Sequence, residues 1–184
     1  MTLLEDAPMT GTDEDPGPDA YDTRRKLVVI GNGMAGARTV EEILQRAGAE
    51  QFSITMFGDE PYGNYNRIML SHVLSGEETD ADIFLNSLPW YGENDITLHA
   101  GVRATRVDRF SKLVYSVSTV DGSTSSTPYD VLIIATGSRS FMPSIEGLRT
   151  ANGELLPGVF AFRTIDDTRG MINYAQHEIT GARW

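Results

Sequence analysis

Cysteine is absent from the sequence, and several kinds of chemistry go with it. The chain can form no disulfide, bind no metal or iron–sulfur cluster through thiolate, and run no C-x-x-C redox cycle. Any electron transfer it supports must therefore use a bound organic cofactor. Positive charge is also scarce: fifteen Lys and Arg face 26 Asp and Glu, leaving a net charge of −11. Such a chain is poorly matched to nucleic acid or to an anionic membrane. No apolar run approaches the roughly 18 residues that a bilayer span needs. The N-terminus lacks the basic-then-apolar pattern of a secretory signal, so the cytoplasm is the expected location. The three histidines, His72, His99 and His177, stand at no metal-binding spacing and are expected to pack or to face solvent. No G-x-S-x-G elbow is present, and no metal site is expected.

The 184 residues allow one domain, or one domain with part of a second. Residues 1–25 stand apart. Seven acids against Arg24 and Arg25 leave this stretch at −5, and with Pro16 and Pro18 it has little to bury. It is expected to be a disordered acidic leader. Order is expected from Lys26. Leu27–Ile30 is a continuous apolar run, as in a strand covered on both faces. Met34 to about Ala47 has a helical pattern, with Val40, Ile43 and Leu44 on one side and Glu41, Glu42 and Gln45 on the other. Phe52–Phe57 is a second strand. Arg67–Leu74 reads as short helix, Ser75–Asp80 as polar loop and Ile96–Ala100 as a third parallel strand. Arg103–Asp108 and Lys112–Val117 read as an antiparallel excursion, and Asp121–Pro128 as a turn rich in Gly, Ser and Pro. Val131–Ala135 is another apolar strand and Val159–Phe162 a last short one. Thr164 or Asp166 is expected to cap a helix reaching about His177. The fold class is α/β: a Rossmann-like parallel sheet around Val28, Ile54 and Ile133 with a small antiparallel insertion.

The stretch KLVVIGNGMAGAR carries the chemistry. In a strand–turn–helix context, Gly31 permits the tight exit from the strand. Gly33 leaves room for a pyrophosphate, and Gly36 lets helix and strand pack closely. The helix N-terminus offers free N–H groups and partial positive charge to an anion. Asp59, after the second strand, can accept hydrogen bonds from a ribose diol, with Glu60 adjacent as an alternative. An acid here disfavours a 2′-phosphate, so the ligand is FAD or NAD rather than NADP. Arg67 is a cation suited to a pyrophosphate or to stacking on adenine.

The fingerprint, the acid after the second strand, the antiparallel insertion and YDVLIIATGSRSFMP together resemble the two-dinucleotide-binding flavoprotein reductases. In that family the A-T-G strand end closes over FAD. The runs IGNGMAGAR, GDEPYGNYNRIMLS, DITLHAGVRATRVDR and FAFRTIDD are further similar to the N-terminal FAD region of the assimilatory NAD(P)H-dependent nitrite reductase large subunits. The resemblance covers Lys26 to about Gln176. It implies that Gly31, Gly33, Met34, Ala35 and Gly36 line the FAD pyrophosphate, that Asp59 meets the ribose, and that Arg67 lies at the phosphate or adenine side. It further implies that the backbone of Ala104 touches adenine and that Ala135, Thr136 and Gly137 lie beside the pyrophosphate and ribityl chain. It names no acid–base residue.

Related ferredoxin reductases often carry Ser-Lys where this chain has Ser71-His72, which favours the nitrite reductase branch and leaves one cofactor contact open. The family continues into a second glycine fingerprint for NAD(P)H, a returning Gly-Asp segment that completes the FAD site, and parts holding sirohaem and a 4Fe-4S cluster. The resemblance therefore implies a fragment. Residues 26–163 would be an incomplete FAD domain and residues 164–184 the start of a connection to an NAD(P)H domain. Its partners would be the remaining C-terminal domains and a small subunit. NAD(P)H, sirohaem and 4Fe-4S are expected in the full-length parent alone, and this chain by itself is expected not to turn over nitrite. Two other readings stay open: a ferredoxin- or rubredoxin-type NADH reductase, and a non-catalytic flavin-binding fragment.

Overall fold

A computed structural model describes residues 22–46 and 48–177. The elements run β1 (Arg25–Ile30), α1 (Met34–Gln45), α2 (Gly48–Gln51), β2 (Phe52–Gly58) and β3 (Asn64–Tyr65). A 3-10 turn at Arg67–Met69 leads into α3 (Leu70–Ser75), and another at Asp80–Ile83 leads into β4 (Phe84–Asn86) and α4 (Leu88–Glu93). Then come β5 (Ile96–Ala100), β6 (Val102–Asp108), β7 (Leu113–Ser118), β8 (Thr124–Pro128), β9 (Val131–Ile134) and α5 (Ile165–His177).

Four strands form a parallel sheet in the order β5-β2-β1-β9. β1 lies inside it, with Val28 opposite both Thr55 of β2 and Leu132 of β9. Successive side chains of a strand point to opposite faces, so both faces of β1 must be covered. Leu27 and Val29 face Val40 of α1 and Tyr91 of α4, in a cluster with Ile54, Met56 and Ile96. Val28 and Ile30 face the antiparallel meander β6-β7-β8, packing with Phe57, Val114 and Tyr129. The continuous apolar run is what this double cover requires. A third cluster joins Tyr65, Leu70, Val73, Ile83 and Ile165, so the first turn of α5 packs against α3 and β3. Thr164 caps α5: its Oγ1 accepts from Asp167 N (3.0 Å) and its own N–H donates to Asp167 Oδ2 (2.9 Å).

The architecture is the α/β one that the patterning implies, and several local expectations change. β1 begins at Arg25, and Arg24 is anchored to Asp95 (2.7 Å) and to the Ala49 carbonyl (2.9 Å), so order starts before Lys26. The rest of the expected leader, residues 1–21, lies outside the described residues, as does Ala47, the expected end of the first helix; α1 closes at Gln45. Asp121–Pro128 is only partly a turn, because Thr124–Pro128 pairs antiparallel with β7. Hydroxyl side chains suit that half-exposed edge, where Ser125 Oγ bonds Ser116 Oγ (2.8 Å). Val159–Phe162 forms no strand, since no neighbouring strand pairs with it, and Phe160 packs edge-on against Tyr174 instead. The short β3–β4 pair and α4 carry too few residues for a visible period. Among the described residues no helix is long and apolar enough to cross a membrane.

Candidate functional site

Three strand ends meet where the apolar runs stop. Gly31 N–H donates to the Phe57 carbonyl (2.8 Å) and Ala135 N–H to the Ile30 carbonyl (2.8 Å), which ties β1 to β2 and to the segment after β9. The chain then turns back over the sheet with Gly31 at φ +115°, a conformation that side chains disfavour. A Cβ on Gly31 would lie 2.2 Å from the Ala135 carbonyl oxygen. One on Gly36 would lie 2.0 Å from the Gly31 carbonyl oxygen and 3.5 Å from the Ala135 Cβ. Both glycines are steric necessities of the joint between helix, strand and neighbouring strand end.

Gly33 differs. It is the N-cap of α1 in an extended conformation (φ −84°, ψ −178°), and nothing lies within 4 Å of where its Cβ would be. α1 has neither a side-chain cap nor an acid in its first turn, and Met34 and Ala35 there are exposed. The first N–H groups of a 12-residue helix thus have no side-chain partner at an open face. An anion fits this end, and the open side of Gly33 admits a bulky one such as a pyrophosphate.

The sequence-predicted charged residues form two separate units. Asp59 follows β2 and pairs with Arg103 of β6 (Nε to Oδ2, 2.8 Å), both side chains about half exposed. Glu60 turns elsewhere: its carboxylate accepts from Arg67 Nη2 (2.5 Å) and from the Tyr65 hydroxyl (2.7 Å). Arg67 also donates to Tyr65 Oη (3.0 Å) and to the Arg163 carbonyl (2.9 Å), and lies over the Tyr65 ring. Arg67 is therefore held from three sides, and the Glu60 carboxylate is committed to it. Burial and the adjacent Glu60 charge push the Tyr65 phenol above its ordinary range. Ala104 sits beside Arg103 on β6 and is half-buried against the meander cluster. Thr136 and Gly137 are exposed beyond Ala135, with Gly137 at φ +69° near the Arg163 guanidinium.

Several residues that hold the site were not evident from sequence. Asn32, inside the glycine turn, accepts from the Tyr91 hydroxyl (2.7 Å) and donates to the Tyr62 carbonyl (3.3 Å). Tyr91 Oη also accepts from Asn64 N–H (3.2 Å), Asn64 donates to Asn86 (3.1 Å), and Asn86 donates to Glu41 of α1 (3.0 Å). This polar string fixes the turn from beneath. Burial raises the Tyr91 phenol, keeping it a neutral donor. Tyr91→Phe keeps the core ring but orphans the buried Asn64 N–H and the half-buried Asn32 Oδ1. It is expected to lower unfolding free energy by about 1–3 kcal/mol, measurable by urea titration. Of the histidines, His99 stacks on Phe57 with its pKa lowered by burial, His72 pairs with Glu77, and His177 ends α5. Among the described residues no group of three or more His, Asp or Glu could hold a metal ion.

A family model described as pyridine nucleotide-disulphide oxidoreductase matches residues 25–178. The chain is 41% identical over 154 residues to the assimilatory nitrate reductase electron transfer subunit of Bacillus subtilis, covering 84% of this chain and 18% of that protein. It is 44% identical over 149 residues to the nitrite reductase (NAD(P)H) of the same organism, covering 81% and 17%. The chain thus spans less than a fifth of these curated relatives. In fold it is similar to the reduced CoADR-RHD of Bacillus anthracis, with a TM-score of 0.76 at 21% identity over 84% of this chain and 27% of that one.

Proposed function

Because this chain belongs to the pyridine nucleotide-disulphide oxidoreductase family, we propose that it is the FAD-holding part of an NAD(P)H-dependent flavoprotein of the nitrite reductase type. The observation that carries this reading is the open face of Gly33 at the uncapped start of α1, backed by the closed joint of Gly31 and Gly36. In this reading the N–H groups of Gly33, Met34, Ala35 and Gly36 meet the pyrophosphate. Asp59 accepts from the adenosine ribose, Arg67 supplies positive charge nearby, and the backbone of Ala104 borders adenine. Ala135, Thr136 and Gly137 line the approach to the ribityl chain. FAD, when bound, supplies the hydride and electron chemistry, and the protein holds and orients it. NAD(P)H is its proposed reductant.

Residues 26–163 form the proposed FAD unit, and residues 164–184 begin the connection to a nicotinamide-binding unit. Sirohaem, the 4Fe-4S cluster and any small subunit belong in this reading to other parts of a longer protein, since a chain without cysteine offers no thiolate. The partners are those parts, with neither nucleic acid nor membrane among them. The replacement of Lys by His72 favours the nitrite reductase type over the ferredoxin reductase alternative.

The two adjacent acids separate affinity from stability. Asp59→Ala is expected to weaken FAD by about 1–3 kcal/mol with little change in stability, because its carboxylate is half exposed. Glu60→Ala is expected to lower stability by about 1–2 kcal/mol through the unpaired Arg67 and Tyr65, with the smaller loss of FAD affinity. FAD titration and urea melts of both variants check this. A larger FAD loss in Glu60→Ala moves the ribose contact to Glu60.

A further inference from the structure

We infer that Arg103 is a specificity-determining residue that acts with Asp59 to select an adenosine ribose lacking a 2′-phosphate. This rests on the proposal that Asp59 faces that ribose. The ion pair uses one atom from each partner, Arg103 Nε and Asp59 Oδ2. Among the described residues the other carboxylate oxygen, Oδ1, and both terminal nitrogens of the guanidinium have no protein partner. One oxygen is thus held in place while its twin is free to accept from a diol.

The backbone keeps the two residues together. Gly101 N–H donates to the Glu60 carbonyl (3.0 Å), next to Asp59 in sequence. The Gly101 carbonyl in turn accepts from Thr119 N–H (2.8 Å) and Thr119 Oγ1 (2.8 Å). The loop after β2 is therefore fastened to the turn from which β6 starts, two residues before Arg103. An ion pair this exposed adds little to folding, so stability does not account for it. It also joins Asp59, proposed for the ribose, to the residue that precedes Ala104, proposed for the base, on β6.

Electrostatics sets the selection. With Asp59 present, the guanidinium charge is answered and a 2′-phosphate would meet a carboxylate. With Asp59 removed, the planar fork is left free, and it matches phosphate geometry well. The same residue that now positions an acid would become a phosphate receptor.

The test uses the full chain with ADP and with adenosine 2′,5′-bisphosphate, followed by calorimetry, alongside an FAD titration and thermal melts. The parent is expected to prefer ADP. Arg103→Ala should weaken ADP about three- to tenfold without a change in melting temperature, as its carboxylate partner loses its anchor. Asp59→Ala should raise the ratio of bisphosphate to ADP affinity by about tenfold or more, and adding Arg103→Ala should abolish that gain. A purely structural pair would shift melting and leave this ratio alone. Arg103→Ala binding ADP like the parent, or a gain that survives in the double variant, overturns the inference while leaving the FAD site standing. A parent chain that binds neither ADP nor FAD overturns the underlying reading and the inference with it.

Discussion

Gly36→Ala is expected to destabilise the protein by about 3 kcal/mol or more, or to leave it unfolded, although alanine favours a helix interior over glycine by about 1 kcal/mol. The added Cβ would lie 2.0 Å from the Gly31 carbonyl oxygen, far inside any real contact. That oxygen belongs to backbone and cannot swing aside as a side chain does. Relief requires α1 to lift from β1, which opens the cluster formed by Leu27, Val29 and Val40. The same movement would carry the helix start away from the strand ends, so FAD affinity should fall with stability. Circular dichroism melts and urea titration measure it. A Gly36→Ala protein as stable as the parent would mean that helix and strand are not packed at this distance.

Gly33→Val is expected to do the opposite: fold as the parent does, within about 1 kcal/mol, and lose FAD binding. The backbone at Gly33 is extended, which valine adopts readily, and no protein atom lies within 4 Å of the new Cβ. What the branched side chain fills is the open face at the uncapped helix start, the position proposed for the pyrophosphate. The two glycines, three residues apart, thus separate structure from binding. Parent-like melting with absent FAD binding is the signature for Gly33→Val, and parent-like FAD affinity would remove the turn from the site.

Much of the fold was legible because it rests on short-range pattern. Leu27–Ile30 and Val131–Ile134 are apolar runs, and Phe52–Phe57 is apolar but for Ser53 and Thr55; their type and length suit parallel strands, and the glycine spacing marks the joint between the first of them and α1. The polar scaffold was not legible, because its partners are far apart in sequence. Tyr91 reaches Asn32 across 59 positions, and the Arg163 carbonyl meets Arg67 across 96. Neither tyrosines nor asparagines announce such partners. Sequence favours Asp59 for the ribose with its neighbour Glu60 as the alternative but does not show how they part: Glu60 turns inward to Arg67 and Tyr65, and Asp59 outward to Arg103. The strand Thr124–Pro128 was hidden by a composition that resembles a turn, and it exists because β7 offers an edge to pair with. Val159–Phe162 had strand-like residues and no such edge.

Whether the glycine turn receives the FAD pyrophosphate can be read from amide NMR of the full chain during FAD titration. Saturable shifts are expected at the N–H groups of Gly33, Met34, Ala35 and Gly36, absent when riboflavin, which has no phosphate, replaces FAD. FAD binding that leaves those four amides unmoved would contradict that placement.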